Sequence, residues 1–384
     1  MRLHVLQAAL IVVLAANLGA QAQGPAAGKL PSPVPYASNE PMAETFSLAK
    51  GAKYLDKVAQ FWMNDSCGSC HANFTYMMAR PVLRELPDSA VDDTRKFLEK
   101  RLKISKEYLK NPRAPEFIHF QSETVGIASG LAFLDYQTTG KLLPTTRQAL
   151  DHMWEMQMKA GRFDGTWRCG CGDFDSAMVE LDRYFSATMA ALATGIAPED
   201  YAKTPQAKDG LTRLRRFFAA NPSPHLYHKG LLLWASMHVD GLMTTAERQE
   251  VVKAFLAKQR TDGGWSLAGI SGDGNWSASD GFGTGFAVFI LRQAGVPADR
   301  PQIVQGVRWL QSNQRASGGW FTPSNHVGHR PEGGHGTREL SLLNASTAFA
   351  VMALRSCEDA ELAPWTRQPI YRPSGLAFRG KMID

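Results

Sequence analysis

Apolar residues recur along the chain with the three-to-four-residue spacing of helices, and strand-like alternation is scarce. Amphipathic segments with a single apolar stripe are predicted near residues 47–63, 92–110, 143–160, 205–219, 243–259 and 300–314. Segments that are apolar or small on every face, as helices buried all round require, follow near residues 73–86, 121–139, 174–194, 228–240, 280–294 and 340–355. The pattern predicts six pairs, each with an outer and an inner helix.

A sequence repeat of roughly 50 residues coincides with these pairs. "FLAKQRTDGGW" ends at Trp265 and "WLQSNQRASGGW" ends at Trp320, and in both the tryptophan follows a glutamine by six residues. "MWEMQMKAGRFDGTW", ending at Trp167, is a looser copy with a longer loop. Cys70 lies 97 residues before Trp167, so "CGSCH" occupies the place of such a loop in the first repeat. Six pairs can close into a ring, which needs no polar caps.

The Gln-x3-Gly-x-Trp loops after aromatic-Leu helices resemble the QW motifs of squalene-hopene cyclases and related terpenoid cyclases. The resemblance implies an all-α (α/α)6 toroid, as a single domain over residues 47–357. It also implies that Gln caps helix ends and Trp stacks beneath them, which is a device for stability. "CGSCHANFTYMMARPVLREL" and "YFSATMAALATGIAPEDY" resemble an exported bacterial branch of this family with a C-x-S-C-H loop.

The catalytic motif of the family is missing. Class II cyclases protonate an alkene with the middle acid of D-x-D-D, but the nearest string here, "SAVDDT", has Ala90 in place of the first Asp. Asp92 and Asp93 stand at the predicted start of an outer helix, where the helix dipole favours acids. No D-D-x-x-D pair is present either. The sequence therefore argues against squalene cyclisation and leaves open whether the protein is an enzyme.

The first residues predict export. In "MRLHVLQAALIVVLAANLGAQAQ", Arg2 precedes an apolar run that ends in Ala20-Gln21-Ala22, so residues 1–22 are predicted to be a signal peptide. A Pro/Ala-rich linker or strap is expected over residues 23–46, and a C-terminal extension over residues 358–384. No later segment has the roughly 18 unbroken apolar residues of a membrane span. We expect a periplasmic or secreted protein, soluble and without an integral membrane segment after cleavage.

The distribution of charge and the motifs in the sequence argue against nucleic-acid binding and against hydrolase activity. The chain has 42 Lys and Arg against 36 Asp and Glu, and the excess is spread out without interleaved aromatic residues. This distribution predicts no nucleic-acid partner. The sequence also lacks a Ser-His-Asp nucleophile elbow and an H-E-x-x-H motif, so hydrolase and protease activities have no support.

Residues with metal-binding chemistry concentrate in the predicted outer-to-inner loops, which all emerge at one mouth of the ring. They are Cys67, Cys70, His71, His119, Cys169, Cys171, His225, His228, His326, His329 and His335.

Cys67, Cys70 and His71 form C-x-x-C-H, the attachment signature of c-type haem. The two thiols would form thioethers to haem c, and His71 would be the proximal iron ligand. Met77, Met78 or a histidine of the sixth repeat remain alternatives for the sixth ligand. This interpretation predicts a monohaem cytochrome-like protein that transfers electrons to a periplasmic redox partner, or performs redox chemistry on an apolar molecule in the central cavity.

Two other interpretations use the same cysteines. Cys67, Cys70, Cys169 and Cys171 can supply four tetrahedral zinc ligands, or they can form two disulfides that join the first and third repeats. Either arrangement predicts a non-redox binding or scaffold protein.

Three further residues are expected to be structural. Glu123 is predicted to be a first-turn acid of the second inner helix, and Cys357 a buried free thiol. Asp280 borders "GNWSASDGFGTG", a Gly-rich loop that follows no strand and therefore predicts no phosphate cradle.

Overall fold

The structure is a computed structural model that describes residues 33–35, 37–63, 73–83, 90–110, 117–168, 176–272, 278–323 and 337–358. Within these ranges it contains thirteen α-helices and no β-strand, apart from an isolated bridge between Met42 and Arg315.

Twelve of the helices form the expected pairs. The outer helices are α1 (Leu48–Met63), α3 (Val91–Leu109), α5 (Pro144–Glu155), α7 (Pro205–Ala220), α9 (Thr245–Ala257) and α12 (Pro301–Ser312). The inner helices are α2 (Asn73–Ala79), α4 (Phe117–Thr138), α6 (Ser176–Ile196), α8 (Leu226–Ser236), α11 (Gly281–Gln293) and α13 (Thr337–Glu358). The remaining helix, α10 (Leu267–Ser271), lies in the connection between α9 and α11 and was not predicted.

The inner helices close into a ring. Helices α2, α4, α6, α8, α11 and α13 contact one another in that order, and α13 returns to contact α2. Outer helices pack around this barrel, as when α1 contacts α13 and α2, and α12 contacts α11 and α13. The chain is an all-α toroid of six helix pairs, which confirms the predicted fold class.

The two kinds of helix follow from their sequences. In α7, Thr204 caps the N-terminus by accepting a hydrogen bond from the Ala207 backbone N–H, and the buried residues occupy one stripe, as expected of a surface helix. In α11 every residue from Gly281 to Gln293 is buried. A helix with no polar face has to lie inside the barrel, because exposing it would leave apolar surface in water.

Three predicted boundaries shift for local reasons. Helix α2 ends at Ala79 and continues only as a 3-10 turn over Arg80–Val82, because Pro81 lacks a backbone N–H. Helix α5 ends at Glu155, and Gln157 then turns into the following loop. Helix α4 begins at Phe117, earlier than expected. Glu123 therefore belongs to the second turn, so the prediction of a first-turn acid was wrong.

The Gln…Gly-x-Trp loops have one geometry in three repeats. Each glutamine Nε2 donates to a glycine carbonyl of its own loop and to a carbonyl of the next outer helix or the residue before it. These bonds join Gln157 to Gly165 and Gly210 (3.0 and 3.2 Å), Gln259 to Gly263 and Gln302 (2.8 and 2.8 Å), and Gln314 to Gly318 and Ser47 (2.9 and 2.9 Å).

Each tryptophan indole donates to a carbonyl near the end of the preceding outer helix. The pairs are Trp167 with Met153 (2.9 Å), Trp265 with Phe255 (2.7 Å) and Trp320 with Leu310 (2.8 Å). The looser copy ending at Trp167 is thus a true member of the repeat, since its longer loop preserves every one of these bonds.

The loop of the sixth repeat joins the two ends of the ring. Gln314 accepts a hydrogen bond from the Ser47 backbone N–H (2.8 Å) and donates to the Ser47 carbonyl (2.9 Å), immediately before α1. The preceding segment lies along the same loop, since Ala43 N–H donates to the Gln314 carbonyl (2.8 Å) and Ser317 N–H donates to Glu40 Oε1 (2.7 Å). Residues 40–43, here called the strap, therefore cover the seam where the last repeat meets the first.

Candidate functional site at the mouth of the ring

Outer helices end and inner helices begin at the same end of the toroid, which we call the mouth. Because every inner helix follows an outer helix along the chain, we expect the inner helices to run parallel, with their N-termini, the positive ends of the helix dipoles, directed towards the mouth. This arrangement favours negatively charged or electron-rich groups there.

Most of the predicted ligands lie outside the described residues. Cys67, Cys70 and His71 fall between α1 and α2, and Cys169 and Cys171 fall between α5 and α6. His326, His329 and His335 also lie outside the described part, as does the side chain of His119. The haem, zinc and disulfide interpretations therefore stay predictions. Of the predicted mouth residues, the structure describes His225 and His228.

Asn73 is the first residue of α2, the first inner helix, and follows His71 by two positions. Its side chain is fully buried, and neither the amide nitrogen nor the amide oxygen has a hydrogen-bond partner among the described residues. Leaving a buried polar group without a partner costs about 1–3 kcal/mol. Thr75, two residues further along, instead accepts a bond from Asn344 Nδ2 (3.2 Å). The Asn73 amide is therefore a buried polar group at the start of α2 without a partner among the described residues.

Met77 and Met78, two of the alternatives for a sixth iron ligand, are core residues. Both side chains are fully buried in the main hydrophobic cluster. The Met78 carbonyl accepts a hydrogen bond from Gln137 Nε2 (3.0 Å), which fixes α2 against α4. Their packing gives these side chains a structural role.

His225 and His228 stand at the start of α8, with ring centroids 5.7 Å apart and ring planes at 85°. His225 Nδ1 contacts the Ser271 carbonyl at the end of α10, and His228 Nδ1 lies 3.0 Å from Ser223 Oγ. The His228 ring stacks on Tyr184 at 4.9 Å. Burial, with a smaller contribution from neighbouring His225, lowers the pKa of His228 to about 3, so this imidazole is neutral at physiological pH.

Aromatic side chains fill the barrel behind the mouth. Nearer the mouth, Phe74 of α2 contacts Phe185 of α6 (centroids 5.9 Å apart). Deeper, Trp234 of α8 reaches both Phe133 of α4 (5.4 Å) and Phe289 of α11 (4.9 Å). Because α4 and α11 are not neighbours in the ring, Trp234 fills the barrel axis at this level. Aromatic contacts therefore join inner helices across the barrel at two levels.

Asp280 is buried at the N-terminus of α11. It accepts hydrogen bonds from the backbone N–H of Gly283 (2.8 Å) and Leu267 (2.6 Å) and from the Thr322 hydroxyl (3.1 Å). Burial raises the pKa of its carboxyl to about 6, against the lowering effect of these hydrogen bonds. Asp280 ties α10, α11 and the loop after α12 together.

Glu123 and Cys357, the other two residues predicted to be structural, are both described by the structure. Glu123 is buried and binds Arg101 of α3 through two contacts, of 2.5 and 2.7 Å. Cys357 is a free thiol, as predicted, but it is partly exposed and not buried. Burial of its sulfur still raises the pKa of the thiol, so it is protonated at neutral pH.

Sequence reasoning did not identify Asn73, the Arg101–Glu123 pair or the Trp234 contacts as features of the barrel. Asn73 could have been singled out because it lies two positions after the C-x-x-C-H motif. Inner helices with no polar face carry no periodicity that shows which side faces the axis, so the contacts of Trp234 could not be read from the pattern.

The fold and the loops together define an α/α toroid whose C-terminal part is similar to a terpenoid cyclase domain. The family model of the squalene-hopene cyclase C-terminal domain matches residues 224–371, fewer than half of the chain, from the start of α8 onward. No curated protein matches the chain. The string nearest to D-x-D-D, "SAVDDT", forms the N-terminus of an outer helix: Asp92 and Asp93 are exposed in the first turn of α3, and Asp93 pairs with Lys96 (3.4 Å).

No helix among the described residues is long and apolar enough to cross a membrane.

Proposed function

We propose that this protein is an exported, terpenoid-cyclase-like toroid that carries a covalent haem at the mouth of the ring. The observation that supports it is Asn73, a fully buried amide without a partner among the described residues, two positions after the histidine of C-x-x-C-H. A buried amide in this position fits a polar group brought in by a cofactor attached just before it.

The residues that would hold the cofactor are Cys67 and Cys70, through thioether bonds, and His71, as an axial ligand. When bound, haem c supplies a one-electron redox couple whose potential depends on its ligands and surroundings. The Asn73 amide would orient a polar group beside it by hydrogen bonding. The parallel N-termini of the inner helices would stabilise the negative charge of carboxylate substituents at the mouth.

The aromatic residues behind the mouth suit an apolar partner molecule. Phe74, Phe185 and Tyr227 lie on three inner helices, and the latter two are partly exposed. Trp234 and its ring contacts close the barrel below them. The role we propose is electron transfer to a periplasmic redox partner, or redox chemistry on an apolar molecule held near the mouth.

Expression with the cytochrome c maturation system, followed by intact-mass measurement and absorption spectroscopy, tests the proposal. We expect a mass increase of one haem and a Soret band, both lost in the double variant Cys67→Ala, Cys70→Ala. The matched control is Cys169→Ala, Cys171→Ala, which should retain haem. A colourless protein at apoprotein mass would reject the proposal.

The rival arrangement, zinc or disulfides on Cys67, Cys70, Cys169 and Cys171, predicts a colourless protein. Metal analysis and thiol counting on the same sample separate the two forms. About one zinc per chain, lost in either double variant, would indicate the metal site. Absence of reactive thiols until reduction would indicate the disulfides.

Terpenoid cyclisation is a second candidate, favoured by the family match over residues 224–371. It requires an acid that protonates an alkene, and the D-x-D-D motif that performs this step in the family is missing. Incubation of the mature protein with squalene, followed by mass spectrometry of the extracted lipids, tests it directly. We expect unchanged squalene; a cyclic product would favour the enzyme.

A further inference from the structure

His225 and His228 are arranged as metal ligands usually are. His225 is the N-cap residue of α8 and His228 follows in its first turn, so both imidazoles stand on the same side of the helix start. Their rings are 5.7 Å apart and nearly perpendicular.

The Nδ1 atom of each imidazole is occupied by an oxygen. The Ser271 carbonyl can only accept, so His225 Nδ1 carries the proton and Nε2 carries the lone pair. Ser223 Oγ accepts from the His225 backbone N–H (3.2 Å) and has a second lone pair for a proton on His228 Nδ1 (3.0 Å). Donation from one ring nitrogen to a protein oxygen is the usual way in which a protein orients a metal-binding histidine.

The ring separation is compatible with a shared ion. With metal–nitrogen bonds of about 2.1 Å, each ring centre lies about 3.2 Å from a metal on Nε2. Two rings 5.7 Å apart then subtend an angle of roughly 125° at the ion, slightly wider than the trigonal value.

We propose that His225 and His228 bind one divalent transition-metal ion through their Nε2 atoms. Among the described residues no third His, Cys, Asp or Glu joins the pair, so the remaining coordination positions are open to water or to a small ligand at the mouth. Imidazole pairs suit copper and zinc, and Cu²⁺ binds most tightly in the usual order of affinities. The site is independent of the proposed haem.

Titration of EDTA-treated mature protein with Cu²⁺, followed by electron paramagnetic resonance, tests the site. We expect one bound Cu²⁺ with nitrogen hyperfine structure. His225→Ala and His228→Ala should each weaken binding by about 100-fold or more, and Ser223→Ala, which removes only the orienting group, by about 10-fold. His152→Ala, which removes a histidine bound to Ser105 in the outer layer, should leave binding unchanged.

The same titration in the Cys67→Ala, Cys70→Ala variant separates this site from the cofactor. Binding that persists there and disappears with His225→Ala supports the histidine site even if no haem is attached. Binding that survives both histidine substitutions but is lost with the cysteines overturns it, as does the absence of a tight copper site. Because His228 is buried, the half-exposed His225 carries the test if His228→Ala fails to fold.

Discussion

Single residues decide how closely the loops approach the helices they hold. Gly318 has a φ of +98°, and a Cβ atom there would lie 2.3 Å from the Lys50 carbonyl of α1. Glycine is therefore required both for backbone conformation and for space. The sequence motif predicts a glycine in this loop, but the carbonyl that it faces belongs to the opposite end of the chain and could not be predicted from the motif.

Gly318→Ala should cost far more stability than an alanine at another left-handed glycine. Gly161 has a φ of +81° and nothing within 4 Å of a built Cβ, so Gly161→Ala isolates the conformational strain. We expect about 1 kcal/mol for Gly161→Ala and at least about 3 kcal/mol for Gly318→Ala, because the second also forces α1 away. Urea unfolding measures both, and equal losses would show that the contact with Lys50 is unimportant.

Asp280 should give the stability of the protein a pH dependence of its own. Its pKa is raised from 3.8 to about 6 in the folded state, so the native protein binds the proton more tightly than the unfolded chain does. The bound proton stabilises the folded state by roughly 3 kcal/mol below about pH 4. This stabilisation falls as the pH rises towards 6 and is absent at higher pH.

Asp280→Asn removes this titration while keeping the side-chain shape. The variant loses hydrogen bonds at every pH, but its stability relative to the native protein should improve as the pH rises from 4 to 6. Melting temperatures of both proteins across this range measure the difference. A difference that stays constant, or changes in the opposite direction, would contradict the raised pKa.

At the scale of helices and loops, the sequence pattern was informative where helices have two different faces. All twelve paired helices were predicted, because amphipathic outer segments alternate with apolar inner ones. Helix α10 was missed since a five-residue helix has too few turns to show a period. Residues 23–46 were predicted to be a Pro/Ala-rich linker or strap, but the pairing of residues 40–43 with the Gln314 loop depends on the closed ring and could not be predicted.

Removal of the strap should loosen the seam without abolishing the fold. Deletion of residues 23–43, which include the strap, removes the bonds from Ala43 to Gln314 and from Ser317 to Glu40, each worth about 0.5–1.5 kcal/mol. We expect a lower melting temperature with unchanged helix content by circular dichroism. Glu40→Ala should reproduce part of the loss; an unchanged melting temperature after deletion would mean that the strap does not stabilise the seam.

At the scale of the whole molecule, ring closure was predictable from the number of helix pairs, whereas the contents of the ring were not. Six pairs suggest a closed toroid, but inner helices that are apolar on all sides do not reveal which residues meet on the axis. The positions of the two histidines depend on contacts with the neighbouring third and fifth repeats, and that of Trp234 on contacts with the second and fifth. Of the predicted mouth residues the structure describes the side chains of His225 and His228, so the site as a whole stays a prediction.

Because the ring is closed, Gln314 should contribute more to the stability of the toroid than its counterpart Gln259 does. Each glutamine donates to two carbonyls, so alanine at either position costs a comparable number of hydrogen bonds. Gln314 in addition accepts from Ser47 and joins the last repeat to the first.

Gln259→Ala should accelerate amide exchange locally, at the start of α12. Gln314→Ala should accelerate exchange throughout α1 and α13, because the seam separates helices at both ends of the chain. Hydrogen exchange with mass spectrometry measures both patterns, and purely local effects in both variants would show that the ring does not depend on its seam.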